Sequence, residues 1–178
     1  GSCASVSLRK FGPPIEPSPS GLVNRVSMEN RHGFGYGRTD MTDSFDFATL
    51  RAAYAKGGDP ADTIARVYDR LDERGADPTW LHVVPRATAL AHARALKDRP
   101  RDLPLYGLPF AIKDNIDLAG APTTAACPAF AHTPEKSAVV VERLIAAGAI
   151  PIGKTNLDQF ATGLVGVRSP YGVPANTF

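Results

Sequence analysis

Two short apolar runs, separated by one amphipathic segment, constrain the fold of this chain most strongly. Residues 110–112 and 149–153 are apolar and are bounded by glycine or proline, as buried strands often are. Between them, residues 137–147 carry apolar side chains at helical spacing, and Gly148 ends that run. A strand, a helix and a strand at this spacing predict a right-handed crossover in a largely parallel sheet, and hence an α/β fold class. Pro151 predicts that the second strand lies at a sheet edge or that the proline stands at a strand end.

Composition divides the chain into three parts. Residues 1–40 contain four Pro, six Gly and six Ser, with no helical or strand period. Such a segment buries too little apolar surface to offset its backbone entropy, so we interpret it as a disordered leader or a non-native extension. Residues 41–100 are a predicted N-terminal helical segment. Residues 101–178 are the predicted start of an α/β core.

Helix signals recur through the middle part of the chain. Ser44 is the predicted cap of a first helix. Asp59, followed by proline, predicts the start of a second helix, which Gly75 ends. A third helix is predicted over residues 85–96, where alanine and leucine lie on one face.

The overall composition excludes several classes of protein. The chain has 178 residues, 43% hydrophobic and 21% charged, and a net charge of +2, which predicts a globular protein without a nucleic-acid or membrane partner. Cys3 and Cys127 lie far apart and suggest neither a disulfide framework nor a zinc site, so we expect a cytoplasmic protein without metal or cofactor. His82 is interpreted as structural and Cys127 as a packing residue.

One lysine stands at the end of the first apolar run. Lys113 follows the predicted strand, and a polar turn begins at Asp114. A lysine at such a position is costly to desolvate unless it is paired or used in chemistry. The local sequence by itself favours a solvated lysine, or one paired with Asp114 or Asp117. Residues 117–120 are interpreted as a further short strand and turn.

A second lysine lies in an apparent phosphate-binding motif. Residues 148–155 fit the pattern G-x-x-x-x-G-K-[ST] letter for letter, with Lys154 as its lysine. A phosphate loop requires a strand before the first glycine and a flexible loop between the glycines. Here a predicted helix precedes Gly148, and the intervening residues are apolar and strand-like. The context therefore argues against a nucleotide-binding loop.

The segments that contain the two lysines carry a family resemblance. Residues 107–115 and 148–156, in that order, resemble the amidase-signature enzymes, which hydrolyse amide bonds. Residues 122–130 and 156–172 are similar to the allophanate hydrolase branch of that family. The resemblance covers residues 105–178 closely and the preceding helices loosely, but it does not cover the leader.

The resemblance implies a fold and a mechanism. The implied fold is the N-terminal part of the amidase-signature fold, a mixed sheet wrapped by helices, here incomplete. The implied mechanism uses a serine nucleophile, a bridging serine in a cis peptide and a lysine base. Lys113 matches the base, whereas Lys154 matches a lysine with a structural role. Both serines belong to a Gly/Ser-rich run that begins beyond the position of Phe178, so we expect little or no hydrolysis by these 178 residues alone.

The resemblance also implies partners, and it leaves alternatives open. The implied substrate is a small amide, allophanate, which yields ammonia and carbon dioxide; a homodimer or a urea carboxylase partner remains open. Missing neighbours of the first strands predict exposed apolar faces, unpaired sheet edges and low stability. Alternative interpretations are a general amidase, the amidase subunit of glutamyl-tRNA amidotransferase, a non-catalytic remnant or interaction module, and the disfavoured nucleotide binder.

Overall fold

A computed structural model describes residues 44–175 of the chain, so the interpreted leader lies outside the described residues. The helices are α1 (Phe47–Ala55), α2 (Pro60–Arg74), α3 (Arg86–Ala95) and α4 (Val139–Ala146). The strands are β1 (Trp80–Val83), β2 (Pro109–Lys113) and β3 (Ile150–Thr155). The predicted α/β class is confirmed. In the described part of the chain, no helix combines the length and the apolar character needed to cross a membrane.

The described strands form one small mixed sheet in the order β1-β3-β2. Strands β2 and β3 are parallel and are connected through α4, as the apolar pattern predicts. Strand β1 adds an antiparallel neighbour on the other side of β3. The expectation of a largely parallel sheet is therefore corrected to a mixed one, in agreement with the fold that the resemblance implied.

Strand β3 is central, so the prediction from Pro151 of an edge strand is wrong, whereas the alternative of a strand end agrees with the position of Pro151 as the second residue of β3. Phe110 pairs with Pro151, but Ala111 pairs with Gly153, so the pairing with β2 slips just after the proline. On the other side, the register of β1 runs only from Gly153 to Thr155. Pro151 thus occupies a position where its missing N–H removes no regular ladder bond.

The segment 117–120 is a turn, and its interpretation as a strand is wrong. Its backbone groups bind groups outside any ladder: Gly120 N–H donates to Pro134 O, and Asp117 O accepts from Ala138 N–H. These bonds tie the segment to the start of α4. A backbone whose groups have such partners has none left for a strand neighbour.

The starts of α1 and α2 follow from their side-chain caps. The cap of α1 is Asp46, which accepts a hydrogen bond from Thr49 N–H at 2.9 Å. Ser44, the predicted cap, instead donates its hydroxyl hydrogen to Asp46 Oδ2 at 2.6 Å. The prediction for α2 is confirmed, because Asp59 caps the helix immediately before its first-turn proline.

The helices bury apolar side chains in one core together with the strands, and α2 packs mainly against α3. Two tyrosines anchor them: Tyr54 of α1 donates to Gly107 O at 2.9 Å, and Tyr68 of α2 donates to Val84 O at 2.5 Å. In α4, Val141 is buried in the core, whereas the side chains of Val139 and Val140 are more than half exposed, at 62% and 52%. This exposed face agrees with the predicted apolar surface.

Candidate active site

Lys113 is the last residue of β2, and its side chain is exposed. None of the described residues forms an ion pair or a hydrogen bond with its ammonium group. The interpretation of a partner in Asp114 or Asp117 is therefore wrong: Asp114 pairs with Lys154, and Asp117 lies 3.5 Å from His132 Nε2. Lys113 stands where a lysine is available for contact with a further molecule.

The side chain of Lys113 borders an open groove at the end of the sheet. The other residues of the groove come from the end of β3 and from the loop that follows it. They are Thr155, Asn156, Leu157, Asp158, Gly163, Leu164 and Gly166. The groove therefore joins the end of β2 to a loop more than forty residues further along the chain.

The register of the sheet separates the two lysines of the motifs. Ile112 pairs with Lys154, and Lys113 pairs with Thr155. Because side chains alternate between the faces of a strand, Lys154 lies with Ile112 on the core side and Lys113 lies with Thr155 on the groove side. One lysine is thus buried in the fold, and the other faces the groove.

Lys154 is fully buried, with 0% of its surface exposed, and a carboxylate, a hydroxyl and a backbone carbonyl surround its ammonium. Its Nζ lies 3.0 Å from Asp114 Oδ1 and donates to Thr123 Oγ1 at 2.8 Å and Pro122 O at 3.1 Å. These contacts agree with the structural role that the resemblance implied for this lysine. Gly148 ends α4, and Gly153 and Lys154 lie within β3, so the apparent phosphate motif is a helix end followed by a strand and not a loop.

Asp114 organises the backbone next to Lys113. Its Oδ2 accepts from both N–H and hydroxyl of Thr124, at 2.9 and 2.5 Å, and its backbone O accepts from Ala125 N–H at 3.1 Å. Ala125 and Ala126 both adopt positive φ angles, of 48° and 55°. Alanine rarely takes this conformation, so these bonds hold the loop in a strained shape beside the groove.

A second strained loop is hydrogen-bonded to the first. Phe160 and Ala161 also have positive φ angles, of 52° and 57°. Phe160 N–H donates to Ala125 O at 2.9 Å, and Gln159 Nε2 donates to Ala126 O at 3.1 Å. Around Phe160 the backbone forms only a short 3-10 turn, Gln159–Ala161. Its backbone bonds to the neighbouring loop instead of continuing as a helix.

Asp158 is a further residue of the groove that the sequence analysis did not identify. Its carboxylate accepts hydrogen bonds from the backbone N–H groups of Val165, Gly166 and Arg168. The bonds from Arg168 and Gly166 hold the pKa of the Asp158 carboxyl below its usual value. The sequence signal for this arrangement is an aspartate followed by two glycines, at 163 and 166, which a search for catalytic residue types does not detect.

The remaining candidate residues lie outside the groove lining. His82 lies in β1, where burial lowers its pKa and the ammonium of Lys154 adds to that effect. Cys127 is partly exposed and follows the strained Ala125–Ala126 pair. Within residues 44–175, no group of three or more histidine, cysteine, aspartate or glutamate side chains is arranged to hold a metal ion.

Comparison with known proteins assigns this architecture to a family. Residues 62–178 match the amidase family. Over 98 residues the chain is 58% identical to the urea amidolyase of Saccharomyces cerevisiae. The aligned segment covers 54% of this chain and 5% of that protein. Over 102 residues it is 47% identical to a component of the glutamyl-tRNA(Gln) amidotransferase of Chloroflexus aurantiacus, or 54% of this chain and 21% of that protein.

The structure is similar to part of a solved hydrolase. The chain superimposes on the allophanate hydrolase of Kluyveromyces lactis with a TM-score of 0.61 and 43% sequence identity. The match covers 68% of this chain and 21% of that one. The chain therefore spans about a fifth or less of the length of these relatives.

Proposed function

The chain belongs to the amidase family, and on that premise we propose that it supplies the lysine base of an enzyme that hydrolyses allophanate. One observation carries the proposal: Lys113 reaches the groove without a counterion among the described residues, whereas Lys154 is buried and paired. A base must be able to reach the group whose proton it takes, and a buried lysine held in an ion pair cannot. Of the two lysines in the matching motifs, Lys113 is the one suited to this role.

The proposed mechanism follows from the family resemblance. The unprotonated amine of Lys113 accepts a proton through a bridging serine, and a second serine then attacks the carbonyl carbon of the substrate. The carbon–nitrogen bond breaks, ammonia leaves with the returned proton, and water hydrolyses the acyl-enzyme. Both serines lie in sequence that follows the matched segment in the family. We therefore expect the 178 residues alone to release little or no ammonia.

Allophanate is favoured as the substrate by the relatives. The sequence is more similar to urea amidolyase than to the amidotransferase component, and the similar solved structure from K. lactis is named as an allophanate hydrolase. The amidotransferase component is the second candidate, supported by its 47% identity, and it would act on an amide of a different acid.

The test uses a hybrid enzyme. In it, the full 178-residue chain is followed by the part of the K. lactis allophanate hydrolase that comes after the segment it matches. Ammonia release is measured with allophanate and with glutamine as substrates. Release from allophanate is the expected result, and release from glutamine alone would favour the amidotransferase candidate. A folded hybrid that releases ammonia from neither substrate would refute the proposal.

The role of Lys113 is tested in the same hybrid by Lys113→Met. A general base typically contributes about a hundredfold to ten-thousandfold to the rate, so we expect kcat to fall by at least about a hundredfold. Lys136→Met is the matched control, because Lys136 is exposed and does not line the groove. A loss of less than about tenfold at Lys113, or an equal loss at Lys136, would rule out Lys113 as the base.

A further inference from the structure

We propose that Asp158 is a positioning residue: its carboxylate holds residues 163–168 in place as the wall of the groove that contains Lys113. This inference rests on the proposed function and adds a specific residue to it. Asp158 and Lys113 border the same groove, together with Gly163, Leu164 and Gly166. Of these groove residues, Gly166 donates its N–H to the Asp158 carboxylate, and Gly163 lies directly against it.

The hydrogen bonds of Asp158 enclose its carboxylate in the loop. Oδ2 accepts from the N–H groups of Val165 and Gly166, each at 3.0 Å, and Oδ1 accepts from Arg168 N–H at 2.7 Å. Hydrogen bonds to an ionised acceptor are stronger than those between neutral groups. The aspartate is 3% exposed, so water competes little for these donors. One carboxylate therefore determines the path of four consecutive residues.

Gly163 shows how closely the loop approaches this carboxylate. A Cβ atom added at Gly163 would lie 2.3 Å from Asp158 Oδ2 and 2.6 Å from its Cγ, distances that no real contact allows. The loop thus needs glycine at position 163 because of the carboxylate, and the next residue, Leu164, is fully exposed at the groove. Any larger residue at 163 displaces either the carboxylate or the wall.

Asp158 is itself fixed relative to Lys113. The next residue, Gln159, is held at two points, because its N–H donates to Arg168 O at 2.9 Å and its side chain donates to Ala126 O. Phe160 N–H donates to Ala125 O, and Ala125 N–H donates to the backbone O of Asp114, the residue after Lys113. A continuous set of hydrogen bonds therefore connects the end of β2 to the wall.

The experiment compares Asp158→Asn with a matched control, Asp77→Asn. Asp77 also accepts a backbone N–H, from Thr79 at 2.7 Å, and pairs with Arg74, but it does not line the groove. Backbone hydrogen exchange of residues 163–168 is measured in the full chain, and kcat and KM are measured in the hybrid enzyme. Gly163→Ala is a second variant. It keeps the Asp158 carboxylate, but its added Cβ atom collides with that carboxylate and so displaces residues 163–168.

We expect Asp158→Asn to speed exchange in residues 163–168 and to lower kcat by about tenfold to a hundredfold, since small misplacements of a site cost rates of this order. Gly163→Ala should do the same, and Asp77→Asn should change neither reading. Unchanged exchange, or faster exchange with kcat and KM within about twofold of the parent, would overturn the inference. If the parent hybrid is inactive, the proposed function fails and this role fails with it; an active parent with unaffected variants refutes the role of Asp158 alone.

Discussion

Replacing Lys154 by methionine should lower the free energy of unfolding by about 3–5 kcal/mol, the range observed when one partner of a buried ion pair is removed. Lys154 and Asp114 are both fully buried, and their charged atoms are 3.0 Å apart. Among the described residues, Asp114 Oδ1 has no hydrogen-bond partner that could replace the ammonium. Methionine has a similar length, so the variant removes the charge and its hydrogen bonds while it leaves little cavity.

Urea unfolding of the full chain measures this cost. Trp80 is the only tryptophan, and its ring lies close to Gly153, the neighbour of Lys154, so its fluorescence reports on this part of the sheet. With a slope of about 2 kcal/mol per molar urea, the midpoint should fall by about 2 M. Because the sequence predicts low stability, every sample contains the same concentration of trimethylamine N-oxide, which favours burial.

A double-mutant cycle separates the ion pair from general disruption. Asp114→Asn, Lys154→Met and the double variant should give a coupling energy of about 2 kcal/mol or more, since the second change removes the charge that the first leaves unpaired. Lys97→Met is the matched control, because Lys97 pairs with Asp59 at 2.9 Å while 56% exposed. Such surface pairs contribute about 1 kcal/mol or less. Equal costs at Lys154 and Lys97, or a coupling energy below about 1 kcal/mol, would refute the reasoning.

Two further changes test the contact between β1 and β3. Gly153→Ala should destabilise the chain by about 1–3 kcal/mol in the same urea assay, because its Cβ would lie 2.4 Å from His82 O, a backbone atom that cannot move without disturbing the strand pairing. A cost below about 0.5 kcal/mol would show that the strands separate easily. Since burial lowers the pKa of His82 below that of the unfolded chain, the unfolded state takes up the proton first, and stability should fall as the pH drops through about 6.5. His82→Gln should flatten this decline between about pH 7.5 and 5.5. The control His92→Gln, at an exposed position of α3, should leave it unchanged. Equal slopes of unfolding free energy against pH in the two variants would contradict the assignment to His82.

Local sequence patterns were sufficient for much of the fold. The helical spacing over residues 137–147 and the apolar runs on either side predict β2, α4 and β3 to within a few residues. The start of α2 follows from a cap and a proline next to each other in the chain. Each of these signals depends on residues close in sequence, so no knowledge of the tertiary structure is needed to detect it.

Patterns that need distant partners were predicted less well. Pro151 argues locally for an edge strand, yet β3 is central because β1 pairs with it. The sheet tolerates the proline because that pairing begins only after it, at Gly153. The segment 117–120 resembles a strand, but its hydrogen bonds with Pro134 and Ala138 make it a turn. A one-dimensional pattern does not show which neighbours the backbone groups of a residue will find.

The candidate site divides in the same way. The sequence by itself determined that Lys113 ends a strand and that its surroundings resemble an amidase, because a short motif contains both facts. Only the tertiary structure decided which lysine is buried, that Asp114 pairs with Lys154 and not with Lys113, and that Asp158 binds the loop of residues 163–168. Charge pairing and burial depend on which surfaces meet when the chain folds, and alternation across the strands places two lysines of similar motifs on opposite faces of one sheet.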